Sequence, residues 1–179
     1  SRIVEDTVFS GDKRYIISSN LYIAKDVTVT FEAGAIIQFY EDTQGYYDTL
    51  YNSPTITNDG GTLIFNGTQD NLIQIGPSEK FYDSPCIIYS WGMTIFNHCN
   101  MENVYAQKSD YATNSGVKID YSTINYLNPA MYEYSEGKKV FCSNKLVFYV
   151  TSISNSVLML NNYAGYYFGR NGEYSGGGI

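Results

Sequence analysis

Positive charge is scarce in this chain. Eleven Lys and Arg stand against 18 Asp and Glu in 179 residues, a formal net charge of −7. A surface that tracks phosphates needs clustered cations to displace counterions, so neither nucleic acid nor an anionic membrane is an expected partner. Long apolar runs are missing too. None approaches the ~20 residues that cross a bilayer as a helix, so no membrane insertion is expected. The opening "SRIVEDTVFSG" lacks an apolar h-region and reads as the start of a mature chain, or of a piece cut from a longer one. Cysteine is limited to Cys86, Cys99 and Cys142, each among apolar neighbours ("SPCII", "NHCNM", "VFCSN"). Buried, inert thiols are the expectation. The alternative is a Cys86–Cys99 disulfide in an oxidising compartment. There is one histidine, His98, and no Zn-type spacing, G-x-S-x-G or P-loop. No window of a dozen residues repeats apolar positions at helical spacing.

Short β-rich bursts fill the chain instead. "YIIS" (15–18) is followed by "NLYIAKDVTVTFEAGAIIQF" (20–39), "GTLIFNG" (61–67) and "LIQIG" (72–76). Then come "CIIYS" (86–90), "MTIFN" (93–97), "VKIDYSTINYL" (117–127), "KVFCS" (139–143), "KLVFYVTSI" (145–153) and "VLML" (157–160). Val, Ile, Thr, Tyr and Phe dominate them, as strands prefer, so the fold class is all-β. The length suits one domain, or two small ones, and about 70% of the extended-chain surface can be buried without metal or disulfide.

Punctuation separates the two all-β candidates. An antiparallel β-sandwich wants two-residue Asn-Gly or Asp-Gly hairpin turns, and only "NDGG" (58–61) and "RNGE" (170–173) look like that. Elsewhere an Asn closes an apolar strand: Asn66, Asn97, Asn125, Asn144 and Asn161, at spacings of 31, 28, 19 and 17 residues. Those spacings lie near or below solenoid repeat lengths. Asn tolerates the left-handed backbone of a sharp corner, and stacked coils would let one amide bond the next.

The pattern Thr28, Thr30, Gly34, Ile37, Phe39, then Gly61, Leu63, Gly67 and Thr68 resembles the opening coils of right-handed parallel β-helix proteins, pectate-lyase-like or adhesin-type. The resemblance covers residues 15–78 and loosens afterward. It implies a right-handed parallel β-helix with Tyr-rich loop insertions; the antiparallel β-sandwich is the runner-up. Segment 1–14 reads as an N-terminal cap, 15–162 as rungs with inserted loops, and 163–179 as a Tyr/Gly-rich tail. Leu21, Ile23, Val27, Val29, Ile37 and Phe39 should stack on Leu63, Phe65, Ile73 and Ile75 of the next coil.

Tyrosine is abundant, 19 residues, and gathers between the strand bursts. Tyr46, Tyr47, Tyr51, Tyr82, Tyr132 and Tyr134 are the candidate ligand-binding residues, because an exposed tyrosine offers a stacking face and a hydroxyl. That suits a polysaccharide or a surface protein. The expected function is a noncatalytic module of a bacterial secreted or cell-surface protein, without cofactor. Glu41, Asp42 and Asp48 offer hard oxygens for calcium, but not at EF-hand spacing. An alternative is a polysaccharide lyase or glycosidase acting on an outer face. Lys118 and Asp120, two apart in "VKIDYSTI", would be its catalytic pair, although glycoside hydrolysis wants two facing carboxyls. His98 reads as a corner or wall residue rather than a base. A third reading is a structural spacer of an adhesin.

Overall fold

The computed structural model describes residues 1–40, 54–78, 86–109, 111–126, 132–135, 138–141 and 151–160. The first coil holds β1 (Arg2–Ile3), β2 (Thr7–Phe9) and β3 (Arg14–Ile17). The second holds β4 (Leu21–Ile23), β5 (Thr28–Glu32) and β6 (Ile36–Phe39), and the third β7 (Thr55–Asn58), β8 (Thr62–Asn66) and β9 (Ile73–Pro77). The fourth is β10 (Cys86–Ser90), β11 (Met93–Asn97) and β12 (Cys99–Glu102); the fifth is β13 (Val104–Lys108), β14 (Gly116–Asp120) and β15 (Thr123–Tyr126). A hairpin of β16 (Tyr132–Ser135) and β17 (Lys138–Phe141) follows. The winding then resumes with β18 (Ser152–Ser154) and β19 (Val157–Leu160).

Strands in the same place of each coil pair into three sheets. Sheet A runs β1-β4-β7-β10-β13, sheet B β2-β5-β8-β11-β14-β18, and sheet C β3-β6-β9-β12-β15-β19. Their described pairings are all parallel, while β16 and β17 pair antiparallel. The result is a solenoid, and it overturns the antiparallel sandwich. Segment 1–14 carries β1 and β2, which pair with β4 and β5 as members of the first coil.

Single residues make the corners. His98 (φ 50°), Tyr121 (φ 46°) and Asn155 (φ 48°) turn sheet B into sheet C in successive coils, and Asn103 (φ 51°) turns β12 into β13. One left-handed residue bends the chain without reversing it. "NDGG" likewise bends β7 into β8 rather than forming a hairpin, with Gly60 at φ 92°. The asparagine series needs correction. Asn66 and Asn97 end strands rather than occupy the corner, although Asn97 Nδ2 does donate to Asn66 Oδ1 at 3.4 Å. Asn125 sits in sheet C, opposite Glu102 and Met159. Asn144 and Asn161 lie outside the described residues.

Alternation sends every second side chain inward, and parallel register piles like on like. Val29 faces Leu63, Phe31 faces Phe65, and Ile37 faces Ile75, as the sequence suggested. Phe9, Phe31, Phe65 and Phe96 form one column, with centroid spacings of 4.5, 5.2 and 4.9 Å and nearly parallel, stacked rings. Tyr15, Ile37, Ile75, Met101 and Ile124 form a second column along sheet C.

The column along sheet A changes character partway. Ile3 and Ile23 are followed by Asn58 and Ser90, both fully buried. Asn58 Nδ2 donates to the Met93 carbonyl at 2.9 Å, and its Oδ1 accepts the Gly61 N–H at 2.9 Å. Thr94 Oγ1 donates to Ser90 Oγ at 2.8 Å, and Ser90 Oγ donates to the Gly92 carbonyl at 2.8 Å. A buried polar group costs little when its partners are all present and much when one is removed. Asn58→Ala is therefore expected to destabilise the chain by about 2–3 kcal/mol, read as a lower midpoint in urea unfolding.

Candidate functional site

The candidate catalytic pair lies on β14 of sheet B, between β11 and β18. Lys118 and Asp120 are two residues apart in β14, so both point outward. Among the described residues they form no ion pair with each other; the ion pair formed there is Arg2–Asp59, at 3.6 Å. Asp120 is instead held by donors of the next corner. It accepts from Asn155 Nδ2 at 2.9 Å, from the Tyr121 N–H at 3.0 Å and from Ser154 Oγ at 3.1 Å. The Asn155 bond is the main cause that holds its carboxyl below the usual 3.8, with smaller help from Ser154, the Tyr121 N–H and the charge of His98. An acid kept ionised in this way closes a corner; it has little proton to give.

Among the described residues of its register row, no second carboxyl stands beside it. Glu32, Asn66, Asn97 and Asp120 occupy one register row, so Glu32 is three strands away. At about 4.8 Å per strand that is roughly 14 Å, beyond the ~5–9.5 Å that glycoside hydrolysis uses. His98 is a corner residue. Its ring stacks on Tyr121 with centroids 4.9 Å apart, and Nδ1 lies 3.0 Å from Asn97 Oδ1. Beneath them Ser122 Oγ accepts the Cys99 N–H at 3.0 Å, and Ser156 Oγ accepts the Ser122 N–H at 3.0 Å. The arrangement fastens consecutive coils at the B–C corner.

The sign of the pH dependence follows. A carboxyl whose folded pKa is depressed contributes stability that is present above its unfolded value and lost as pH falls through the folded one. Unfolding midpoints should therefore decline as pH drops below about 4. Asp120→Asn is expected to flatten that decline by lowering the plateau near neutrality, while the acid end stays almost unmoved.

Cys86 and Cys99 are buried free thiols, in sheets A and C, so the alternative disulfide is not formed. Burial pushes the Cys86 thiol well up, with the charge of Glu102 adding to it, and burial pushes Cys99 up to about 12. Cys142 lies outside the described residues. Among the described residues no group of three or more His, Cys, Asp or Glu is placed to hold a metal ion. The calcium candidates Glu41, Asp42 and Asp48 lie outside them.

So do Tyr46, Tyr47, Tyr51 and Tyr82. Tyr132 and Tyr134 fall in β16, of which the backbone is described. The ends of the neighbouring strands are informative all the same. The chain leaves sheet C at Phe39, Pro77, Tyr126 and Leu160 before entering the segments 40–54, 78–85, 127–151 and 161–179. Four tyrosines fall in 40–54, one in 78–85, three in 127–151 and four in 161–179, out of 19 in the chain. The tyrosine-rich stretches therefore all start from one edge of the solenoid.

Sequence reasoning missed a second aromatic group. Tyr22 (41% exposed), Tyr89 (38%) and Trp91 (54%) lie on the outer face of sheet A or at its exit. Tyr111, wholly exposed, lies in the connection from sheet A to sheet B of the fifth coil. The signal was the position within each burst: in "LYI" and "CIIYS" the tyrosine alternates out of phase with the inward Ile23 and Ile88.

Comparison with protein-family models, curated proteins and solved structures gives no match to this chain.

Proposed function

We propose that this chain is a noncatalytic β-helix module, wound in the right-handed sense usual for parallel crossovers, of a bacterial secreted or cell-surface protein. It binds a glycan through aromatic side chains of its tyrosine-rich segments, among them Tyr46, Tyr47, Tyr51, Tyr82, Tyr132 and Tyr134. The observation that carries this reading is the common origin of those segments at the C-terminal ends of sheet C strands. Loops on a rigid scaffold are where binding residues concentrate. The second and third coils, and again the fifth and the turn after it, anchor such loops about 4.8 Å apart, a spacing that suits a ligand with its own repeat.

Catalysis is not part of the reading, because Asp120 is engaged by three donors at its corner and has no facing carboxyl within reach in its row. The test is a glycan array probed with the wild type and with the Tyr46→Ala/Tyr47→Ala double variant. Selective glycan signals that weaken in the variant support the reading. An array without signal for the wild type would overturn it in favour of a protein partner or a spacer role. Unchanged signals in the variant would remove Tyr46 and Tyr47 from the site.

A further inference from the structure

We propose that the outer face of sheet A is the floor of a binding site for a linear, uncharged polysaccharide. The chain would lie along the solenoid axis with sugar rings against Tyr22, Tyr89 and Trp91. This rests on the glycan reading above and assigns its ligand class.

Arg2, Tyr22, Thr57, Tyr89 and Gln107 are register partners in consecutive strands of sheet A, one row parallel to the axis. They face away from the core, which is lined on the same strands by Ile56, Ile88 and Ala106. The other two sheets differ. The central outward row of sheet B is Thr30, Ile64, Ile95 and Lys118, and sheet C presents Gln74 and Asn100 bonded to each other at 2.9 Å. Only sheet A combines exposed rings with polar side chains between them, among the described residues.

The spacing fits an extended glycan. Tyr22 and Tyr89 are two strands apart, about 9.5 Å, close to two sugar units of an extended chain. Thr57, halfway, offers a hydroxyl, and Gln107, one strand further, an amide. Trp91 follows Tyr89 by two residues and widens the platform at the strand exit. The floor also has one closed side. Ile87 and Tyr105 stand at outward positions of the same strands, yet are 4% and 2% exposed. The open strip is thus narrow and runs lengthwise, which suits a single chain.

Charge selects the class. Among the described residues the charged groups in or beside the row are Arg2, Asp59 and Lys108, and Arg2 is paired with Asp59. With a net charge of −7 on the whole chain, a polyuronate would approach against the field. Ring stacking and hydroxyl hydrogen bonds do not need that charge.

The sole tryptophan supplies the readout, since its emission reports on this face alone. The full chain is titrated with cellohexaose, xylohexaose, mannohexaose and a hexamer of galacturonic acid, by calorimetry and by Trp91 fluorescence. The expectation is that a neutral hexamer binds with a shift in Trp91 emission. Its disaccharide should bind at least about tenfold more weakly, and Tyr22→Ala/Tyr89→Ala should cost a similar factor. Both tyrosines are exposed, so an unchanged circular dichroism spectrum is the folding control. Neutral binding with a silent Trp91 and full affinity in Tyr22→Ala/Tyr89→Ala overturns this assignment, but leaves the broader glycan reading standing if Tyr46→Ala/Tyr47→Ala is impaired. Binding confined to the acidic hexamer overturns the ligand class. Absence of binding to every oligosaccharide, together with a blank array, overturns both.

Discussion

Phe65→Ala is expected to be among the most damaging substitutions in the chain, at about 3–5 kcal/mol. Phe65 is fully buried and is flanked on both sides by parallel rings, Phe31 at 5.2 Å and Phe96 at 4.9 Å. Truncation removes two ring contacts and opens a void in the middle of the column. Neighbouring phenylalanines cannot close it, because each is fixed by the register of its own strand. In a solenoid each coil touches only its neighbours, so a weak layer at the third coil separates the first two from the rest. Urea unfolding of the variant should show a lower midpoint and a broader transition, and hydrogen exchange should quicken first in coils one and two. Phe9→Ala, at the end of the same column and only partly buried, is expected to cost much less.

Gly92→Ala should rival it. Gly92 stacks directly on Gly61 at the exit of sheet A, and a methyl group there would run into the Gly61 carbonyl and backbone nitrogen. The obstacle is main chain, tied down by the Met93 N–H bond to the same carbonyl at 3.0 Å. One corner must lift away from the next, and the Ser90 hydroxyl would lose its bond to the Gly92 carbonyl with it. A loss of about 3 kcal/mol or more is expected, of the size that a core defect gives. Gly76→Ala provides the contrast. Its added methyl would meet the Cβ of Glu102 at 3.3 Å and its carbonyl at 3.6 Å, contacts that a shift of a few tenths of an ångström relieves. That variant should unfold within about 1 kcal/mol of the wild type.

Much of the fold could be read from local alternation. Val29, Phe31 and Ile37 announced their strands because the sheets are half-buried and the period-two pattern is clean. Where a strand deviates from that pattern, the reading failed. "CNME" and "VYAQK" were not recognised as β12 and β13, because Asn100, Glu102 and Gln107 dilute the apolar content and one residue, Asn103, separates the strands. "VKIDYSTINYL" looked continuous, yet it is broken at Tyr121. An aromatic residue in the left-handed region is uncommon, and nothing in its type signals a corner. The coil length was also hidden. Register offsets are 22, 34, 31, 23 and 34 residues across sheet B. Only the Asn66–Asn97 spacing therefore coincided with a true coil. Once the 23-residue offset is known, His98 and Tyr121 fall on the same corner, a pairing that neither residue advertises alone.

The tyrosine clusters were legible as composition, and their common edge was not, since that depends on which sheet each strand joins. Tyr22 and Tyr89 were overlooked for the opposite reason. They sit inside strands, where a tyrosine is ordinarily counted with the core, and only the register sets them in one row.

The amide of Asn58 has a consequence for how such a chain could grow or shrink. Tandem arrays often lengthen by copying a unit, and that works when each unit meets its neighbours through equivalent surfaces. Along the inner column of sheet A the third and fourth turns meet through an internal chain of polar groups, whereas the second and first meet there through aliphatic ones. A duplicated second turn set above the third would put Ile23 and Val29 where Ser90 and Thr94 now stand, and would take both hydroxyls out of the buried polar chain around Asn58. The turns of this protein are individually addressed, and their order is fixed from the inside.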